Sequence, residues 1–509
     1  PPFVNPPTCL VPAEPIQSPE DTSASTEEPA EPLIITQFKF EPSPLTAPGL
    51  SSAIMEVSGS ATSATIYLDG KVVAQGPLDT LTYAHEATSS DVNGDHHFTL
   101  RVFDDEGGST EKFTTLEIDL PAHGTMKCPF QDEESEHSGI ASLVFGEKYL
   151  AALGTRDEGS GPKLALWRIA PTMCGLYDRR SIDDWTMLDV AKWPSTGASL
   201  ALDESGNYVI AGNLLLGADP QPYLALLRAD DLSLIWETTG ELGDEAAGVT
   251  RIPWPYEQII MVGSRRTHKN PLRYDGLVAG YTTTGVVWVD DQLRAPFTED
   301  EVIKDELNLR SEKVLAVDLN PNTLEVLVVG EREFKLSQQD PVQLRTFTAR
   351  YDPLGGRLAT WTSAGDYLPQ DSARSLRWCG GTFIAGGWTR DLAVDAKPQP
   401  LVRRIDLKGK SLSRRAEPFT DVTLHGVDCD REGKVVSVGK RLTGGQTDAL
   451  LFATSLPDQP PVWQAEHYGL GNGDDGATAV DCDAWGYCAW GGYEFVDGKS
   501  RALVKIHYP

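Results

Sequence analysis

Between residues 34 and 120, apolar and polar residues alternate in seven short runs: IITQFKF, SAIMEVSG, SATIYLDG, KVVAQG, LTYAHEA, HHFTLRVFDD and EKFTTLEIDL. A period of two puts one face of each run against a core and the other toward water, as in a half-buried strand. LDGK supplies an Asp-Gly hairpin turn, and DDEGGS a looser glycine turn. Seven strands in about 87 residues predict an immunoglobulin-like β-sandwich. No Cys…Trp…Cys pattern occurs, which excludes the antibody subtype.

From about residue 139 the pattern changes and then repeats. Seven segments end in an apolar strand closing on glycine: YLAALG at Gly154, YVIAG at Gly212, IIMVG at Gly263, VLVVG at Gly330, FIAG at Gly386, VVSVG at Gly439 and CAWG at Gly491. They are spaced by 58, 51, 67, 56, 53 and 52 residues. A shorter strand and a tight turn precede each, as in ASLALDESGNYVIAG, and a third strand such as YLALLRA follows. A fourth often carries tryptophan: Trp185, Trp236, Trp288, Trp361 and Trp463. Four antiparallel strands per unit, repeated seven times, predict a seven-bladed β-propeller. The seven glycines are expected at equivalent, crowded positions where a Cβ would clash. The last repeat ends after its third strand. Residues 123–131, HGTMKCPFQ, are therefore expected to supply its outer strand and cover the exposed edge.

Residues 1–33 are rich in Pro, Ser, Thr and Glu and contain no Lys or Arg, the composition of an extended tether. The expected fold class is all-β: a Pro-rich tail over 1–33, the sandwich over 34–120 and the propeller over 121–509, with 121–138 as closing segment. The run ATIYLDGKVV…GDHHFTLRVFDDEGGST resembles the immunoglobulin-like domains of bacterial surface proteins. DDLSLIWETTGELGDEAAGVTRI and YDPLGGRLATWTSAGDY are similar to segments of secreted bacterial seven-bladed propeller repeat proteins, a group close to the quinoprotein-type propellers. That resemblance covers about 370 of the 509 residues. It implies a fold and the layout of a cell-surface or lipoprotein-anchored exported protein. It implies no activity, because propellers serve many tasks.

Forty-four basic residues against 74 acidic ones give a net charge of −30. Nucleic acid and anionic lipid both need clustered cations, so neither is an expected partner. The charge serves solubility, or else an acidic face that takes cations or a basic partner. No run of 18 apolar residues occurs, so no membrane span is expected, while a lipid anchor upstream is compatible with the chain. No secretory n-region and h-region open the sequence.

The seven cysteines show no metal-ligand spacing. Sparse cysteines of this kind suggest an oxidising location: extracellular, cell-surface or periplasmic. Cys482 and Cys488 flank DAWGY and face each other across a hairpin turn centred on Trp485. Asp481 and Asp483 beside them disfavour a thiolate, so the pair is expected to be a staple and not a reactive site. Cys379, Cys429 and Cys482 end the first strands of repeats five, six and seven. One pairing joins Cys379 to Cys429 between neighbouring blades and Cys128 to Cys174 ahead of them. An alternative joins Cys429 to Cys482 and leaves Cys379 free; six cysteines allow 15 connectivities. Cys9 is left over in both. The apolar cluster FVNPPTCLVP around it is expected to dock on a neighbouring subunit or partner, with Cys9 available for an intermolecular disulfide, or else on its own domains.

No H-E-x-x-H, G-x-S-x-G or phosphate-loop motif is present among the nine histidines and 47 glycines. His96 and His97 alternate along a strand and cannot share one ion. DVNGDH at 91–96 lacks the distal glutamate of a calcium loop and reads as a turn. The loops ahead of the first strands, ELGDEAAG, SAGDYLPQDSA and GLGNGDDGATA, would make one axial mouth acidic through Glu241, Asp244, Glu245, Asp366, Asp371, Asp474 and Asp475. Asp244, Asp474 and Asp475 are the candidate cation ligands, with calcium as the one cofactor such a mouth admits. Their joint replacement by Asn is expected to leave stability unchanged or to raise it by relieving like charge. His425 is the one histidine placed near the axis. No catalytic residue is assigned. The expectation is a non-enzymatic exported scaffold or binding protein that uses its propeller loops to engage a ligand or protein. A structural subunit of an extracellular assembly or filament, its tail contacting a neighbour, is the alternative; a propeller hydrolase or dehydrogenase is the second.

Overall fold

The computed structural model describes residues 32–45, 49–87, 94–118, 126–132, 135–146, 149–169, 185–191, 194–217, 219–269, 272–293, 311–334, 342–362, 370–391, 396–408, 411–416, 419–430, 433–454, 461–467, 473–483 and 486–507. Every regular element among them is a strand. The expected docking of the leader, Cys9, Cys174 and Asp366 lie outside the described residues, as does the side chain of Cys128. The chain divides into two compact units, one built of strands between residues 34 and 118, the other from residue 119 onward.

In the first unit the strands are β1 (Ile34–Glu41), β2 (Gly49–Ser58), β3 (Ala61–Leu68), β4 (Lys71–Pro77), β5 (Ala84–Ala87), β6 (Gly94–Asp104) and β7 (Ser109–Ile118). They form two sheets in the orders β1-β2-β5 and β4-β3-β6-β7. Asp69 and Gly70 take positive φ values of 50° and 79°, which matches the twist of the β3–β4 hairpin they connect. Along β6 the period of two buries Phe98, Leu100 and Val102 completely. The Phe98 ring meets that of Phe40, on the other sheet, at 4.3 Å between centroids.

Seven four-stranded antiparallel sheets make up the second unit. Their first strands are His137–Phe145, Ser195–Leu202, Asp244–Ile252, Glu312–Leu319, Gln370–Cys379, Val422–Cys429 and Gly476–Cys482. Each packs beside the first strand of the next sheet, and the last returns to the first, so the contacts close a circle. This is an arrangement of the β-propeller kind. Neighbouring sheets cover both faces of the middle strands, which is why those strands read as unbroken apolar runs such as Val209–Ala211 and Val326–Val329. The fourth strands are the outermost and have one face toward water. Leu234–Thr239 alternates between exposed and half-buried residues, and Trp185, Trp236, Trp288, Trp361 and Trp463 all fall on such strands.

Six sheets are simple meanders. The seventh takes its outer strand, Met126–Gln131, from ahead of the first sheet. That strand pairs antiparallel with Lys499–His507, Gln131 opposite Leu503 and Met126 opposite His507. The edge that the last repeat would otherwise leave open is thereby paired.

Each first strand carries one extra residue at the same point, a β-bulge: Ala141, Ala198, Ala247, Leu315, Arg374, His425 and Thr478. The second-strand residue opposite, one step before the bulge, lies against the first strand's backbone. A Cβ on Gly154 would stand 2.0 Å from the Gly139 carbonyl oxygen, and one on Gly263 1.8 Å from that of Glu245. Gly154, Gly212, Gly263, Gly330 and Gly439 occupy this position. Gly386 and Gly491 do not: they pair one residue further on, with Ser375 and Ala479. Gly387 and Gly492 take the crowded place instead: a Cβ on either would stand 1.8 Å from a backbone oxygen. Five of the seven expected glycines are therefore equivalent. The two exceptions are the first members of Gly-Gly pairs, where spacing alone cannot tell which glycine faces the carbonyl.

Candidate functional site

The first strands enclose an axial cavity of about 760 Å³ to which all seven contribute. From the bulge onward they read ASLVF, ASLAL, AGVTR, LAVDL, RSLRW, HGVDC and TAVDC. The third residue of each is aliphatic and wedges between sheets; Leu143, Leu200, Val249, Val317, Leu376 and Val427 are buried there. The bulge residues line the cavity, as do the residues three further on in every first strand but the sixth, where Asp428 is not part of the lining; the two rings stand about 10 Å apart along the strands.

The ring nearer the strand ends contains Val144, Ala201 and Thr250 on sheets one to three, then Asp318, Arg377, Asp428 and Asp481 on sheets four to seven. Each acid accepts a backbone N–H from the following sheet. Asp318 Oδ2 accepts from Trp378 at 2.6 Å, Asp428 Oδ2 from Cys482 at 2.6 Å, and Asp481 Oδ2 from Phe145 at 2.7 Å. The last of these joins the seventh sheet to the first. Arg377 stands where the fifth sheet would carry its own acid. Its guanidinium reaches Asp428 at 2.8 Å and Asp481 at 2.5 Å. Burial pushes the Asp481 carboxyl up to about 7, against the pull of Arg377 and with the help of neighbouring Asp428. Asp318 is raised for the same first reason, again opposed by Arg377. The ring thus clamps sheet to sheet by charge-assisted hydrogen bonds around one guanidinium.

The bulge ring is divided in the same way. Ala141, Ala198, Ala247 and Leu315 form a small apolar wall, faced by Arg374, His425 and Thr478. Thr478 spends its hydroxyl on the carbonyls of Ile140 and Gly491. His425 contacts the Thr423 hydroxyl at 3.3 Å. Burial, then Lys440 and Arg374, push its pKa down to about 3, so it is neutral at physiological pH. Lys440 lies over the Tyr493 ring at 4.8 Å. Arg374 is exposed to the cavity and makes no ion pair with any described carboxylate.

The acids expected at the opposite mouth have partners of their own. Asp244 is buried against Arg265 at 2.9 Å, and Arg265 also meets Glu241 at 3.3 Å and Asp291. Burial raises the Asp244 pKa, opposed by Arg265. Asp371 accepts from the Thr346 N–H at 2.7 Å and pairs with Arg403. Asp474 Oδ1 accepts from the Thr447 N–H at 2.9 Å, and Asp475 Oδ1 from that of Phe495 at 2.9 Å. Glu245 contacts the Ser264 hydroxyl at 3.4 Å. Among the described residues no three His, Cys, Asp or Glu are arranged to hold a metal ion. Asp244 belongs to the third sheet, while Asp474 and Asp475 precede the seventh.

Disulfides join Cys379 to Cys429 and Cys482 to Cys488. The first links the ends of the fifth and sixth first strands; the second closes one hairpin. The DAWGY stretch is built by Asp483, whose Oδ1 accepts the Tyr487 N–H at 2.9 Å, with Gly486 at φ 93°. Asp203 and Asp430 build DESGN and DREGK in the same way. Sequence reading missed Asp318, Arg374, Arg377, Asp428 and Asp481. Aligning the seven pentapeptides would have exposed them as the charged members of two otherwise small or apolar columns.

No family model matches the chain, and no curated protein sequence matches it. Similar solved structures include a protein of unknown function from Dyadobacter fermentans, 13% identical over 76% of this chain and 99% of that one, with a TM-score of 0.41. A protein from Lactobacillus plantarum is 13% identical over 82% and 98%, with a TM-score of 0.38. The plexin A4 extracellular region is 9% identical over 76% and 40%, with a TM-score of 0.44.

Proposed function

We propose that this chain is an exported binding protein, an immunoglobulin-like sandwich joined to a seven-bladed β-propeller, which holds a ligand or protein segment at its axial cavity without converting it. The observation that carries this reading is the cavity itself. At about 760 Å³ it lies within the 300–1,000 Å³ usual for ligand sites, and all seven first strands contribute to its wall. Its walls are fixed by a paired edge, a ring of inter-sheet hydrogen bonds and a cross-link between sheets five and six. A preorganised cavity binds without paying again for ordering its walls. The two disulfides support an oxidising, exported location.

The test is a thermal-shift screen of small molecules and peptides against the wild type and Ala198→Trp, which fills the cavity from its apolar wall. Compounds that raise the melting temperature of the wild type are expected to lose that effect in the variant, with circular dichroism confirming the fold. Ligands that bind both proteins equally, or turnover of any compound by the wild type, would overturn the reading.

A further inference from the structure

The two halves of the bulge ring differ in chemistry, and that difference specifies a class of ligand. Arg374 extends into the cavity from the fifth sheet, exposed to the lumen and without a described carboxylate partner. This is unusual in a chain with 74 acids and 44 bases, where the neighbouring Arg377 is matched by Asp428 and Asp481. His425 lines the same side of the cavity, and Arg374 and Lys440 both act on it as nearby positive charges, so the field at this side of the bulge ring is positive. Across the cavity, Ala141, Ala198, Ala247 and Leu315 offer apolar surface and no competing acceptor. The ring three residues further along supplies the carboxylates, about 10 Å away, at the limit of electrostatic screening in physiological salt.

We propose that the axial cavity binds a small organic anion, a carboxylate, sulfonate or phosphate head on an apolar body, with the head on Arg374 and the body against Ala141, Ala198, Ala247 and Leu315. This rests on the axial cavity being the binding site, and adds the ligand's charge and polarity. A guanidinium presents paired donors matched to a planar or tetrahedral oxyanion, which lysine does not reproduce. Its charge-assisted hydrogen bond is worth about 1.5–3 kcal/mol, or roughly 10- to 150-fold in affinity.

The probes are 1-anilinonaphthalene-8-sulfonate and N-phenyl-1-naphthylamine, which share an aromatic body and differ in the sulfonate. Titration of the whole folded chain, followed by dye fluorescence, should show one sulfonate dye per chain. Arg374→Met should weaken that binding about 10-fold or more and leave the neutral dye unaffected. Arg374→Lys should fall between the two, and Ala198→Trp should remove both dyes. An unchanged sulfonate-dye affinity in Arg374→Met, with both dyes still excluded by Ala198→Trp, overturns the anion assignment and leaves the cavity as the site. Undiminished binding of both dyes to Ala198→Trp overturns the cavity itself.

Discussion

Asp481→Asn should abolish most of a stability loss that the wild type suffers between pH 4 and pH 7. The carboxyl is buried beside Asp428 and Arg377, and its pKa is displaced from 3.8 to about 7. In the unfolded chain it ionises near the ordinary value, so between these limits the native state holds a proton that the unfolded state has released. Stability therefore falls as pH rises through that window and levels off above about 7, the reverse of the usual behaviour of a salt-bridged aspartate. At 1.36 kcal/mol per pKa unit the displacement is worth a few kcal/mol, shared between the coupled Asp481 and Asp428 carboxyls. Asparagine keeps an oxygen for the Phe145 N–H and leaves Arg377 facing Asp428 and Asp318. The variant should thus match the wild type below about pH 3.5 and exceed it at pH 8. Urea unfolding of both proteins at half-unit pH steps, followed by near-ultraviolet circular dichroism, reads the difference. A wild type equally stable at pH 5 and pH 8, or a variant with the same pH slope, would refute the account of the ring.

Gly387→Ala places a Cβ against the rigid Ser372 carbonyl and should cost more than about 3 kcal/mol, whereas Gly386→Ala meets side-chain atoms of Val427 and Ser375 and should cost less, about 1–3 kcal/mol; thermal melts of the pair test the glycine register. Replacing Cys379 by Ser opens a cross-link spanning 50 residues and should lower stability by about 4 kcal/mol, against about 2 kcal/mol for Cys482→Ser, whose partner is six residues away. Calorimetry under non-reducing conditions should show this order. Removing residues 119–131 strips Lys499–His507 of its partner. The shortened chain should lose its cooperative melt and associate through that edge, as seen by light scattering.

Much of the architecture was legible because buried and half-buried strands leave different marks. Apolar runs such as IIMVG announced middle strands covered on both faces, and tryptophans marked outer strands that are half exposed. A missing outer strand in the last repeat pointed to HGTMKCPFQ, of which Met126–Gln131 pairs with the final strand. The Cys482–Cys488 hairpin followed from the turn between them. The axial residues were not read, for a geometric reason. A bulge shifts the facing of every later residue, so period-two reasoning sends Asp318 or Arg374 to the wrong side. For mouth acids such as Asp244 the sequence shows a charge and hides its partner; Arg265, 21 positions away, becomes its neighbour only across a hairpin.

The strand that completes the last sheet has a consequence for synthesis. Met126–Gln131 leaves the ribosome before every other strand of the seven sheets, and its partner Lys499–His507 leaves after all of them. At 5–20 residues per second, the intervening stretch takes roughly 20–75 s to make. Through that interval the early strand must stay unpaired and unclaimed by other edges, and the seventh first strand cannot reach Phe145. Assembly is therefore gated by the emergence of Lys499–His507. A nascent chain halted anywhere short of it presents an open, sticky arc, well suited to recognition by chaperones and proteases as unfinished.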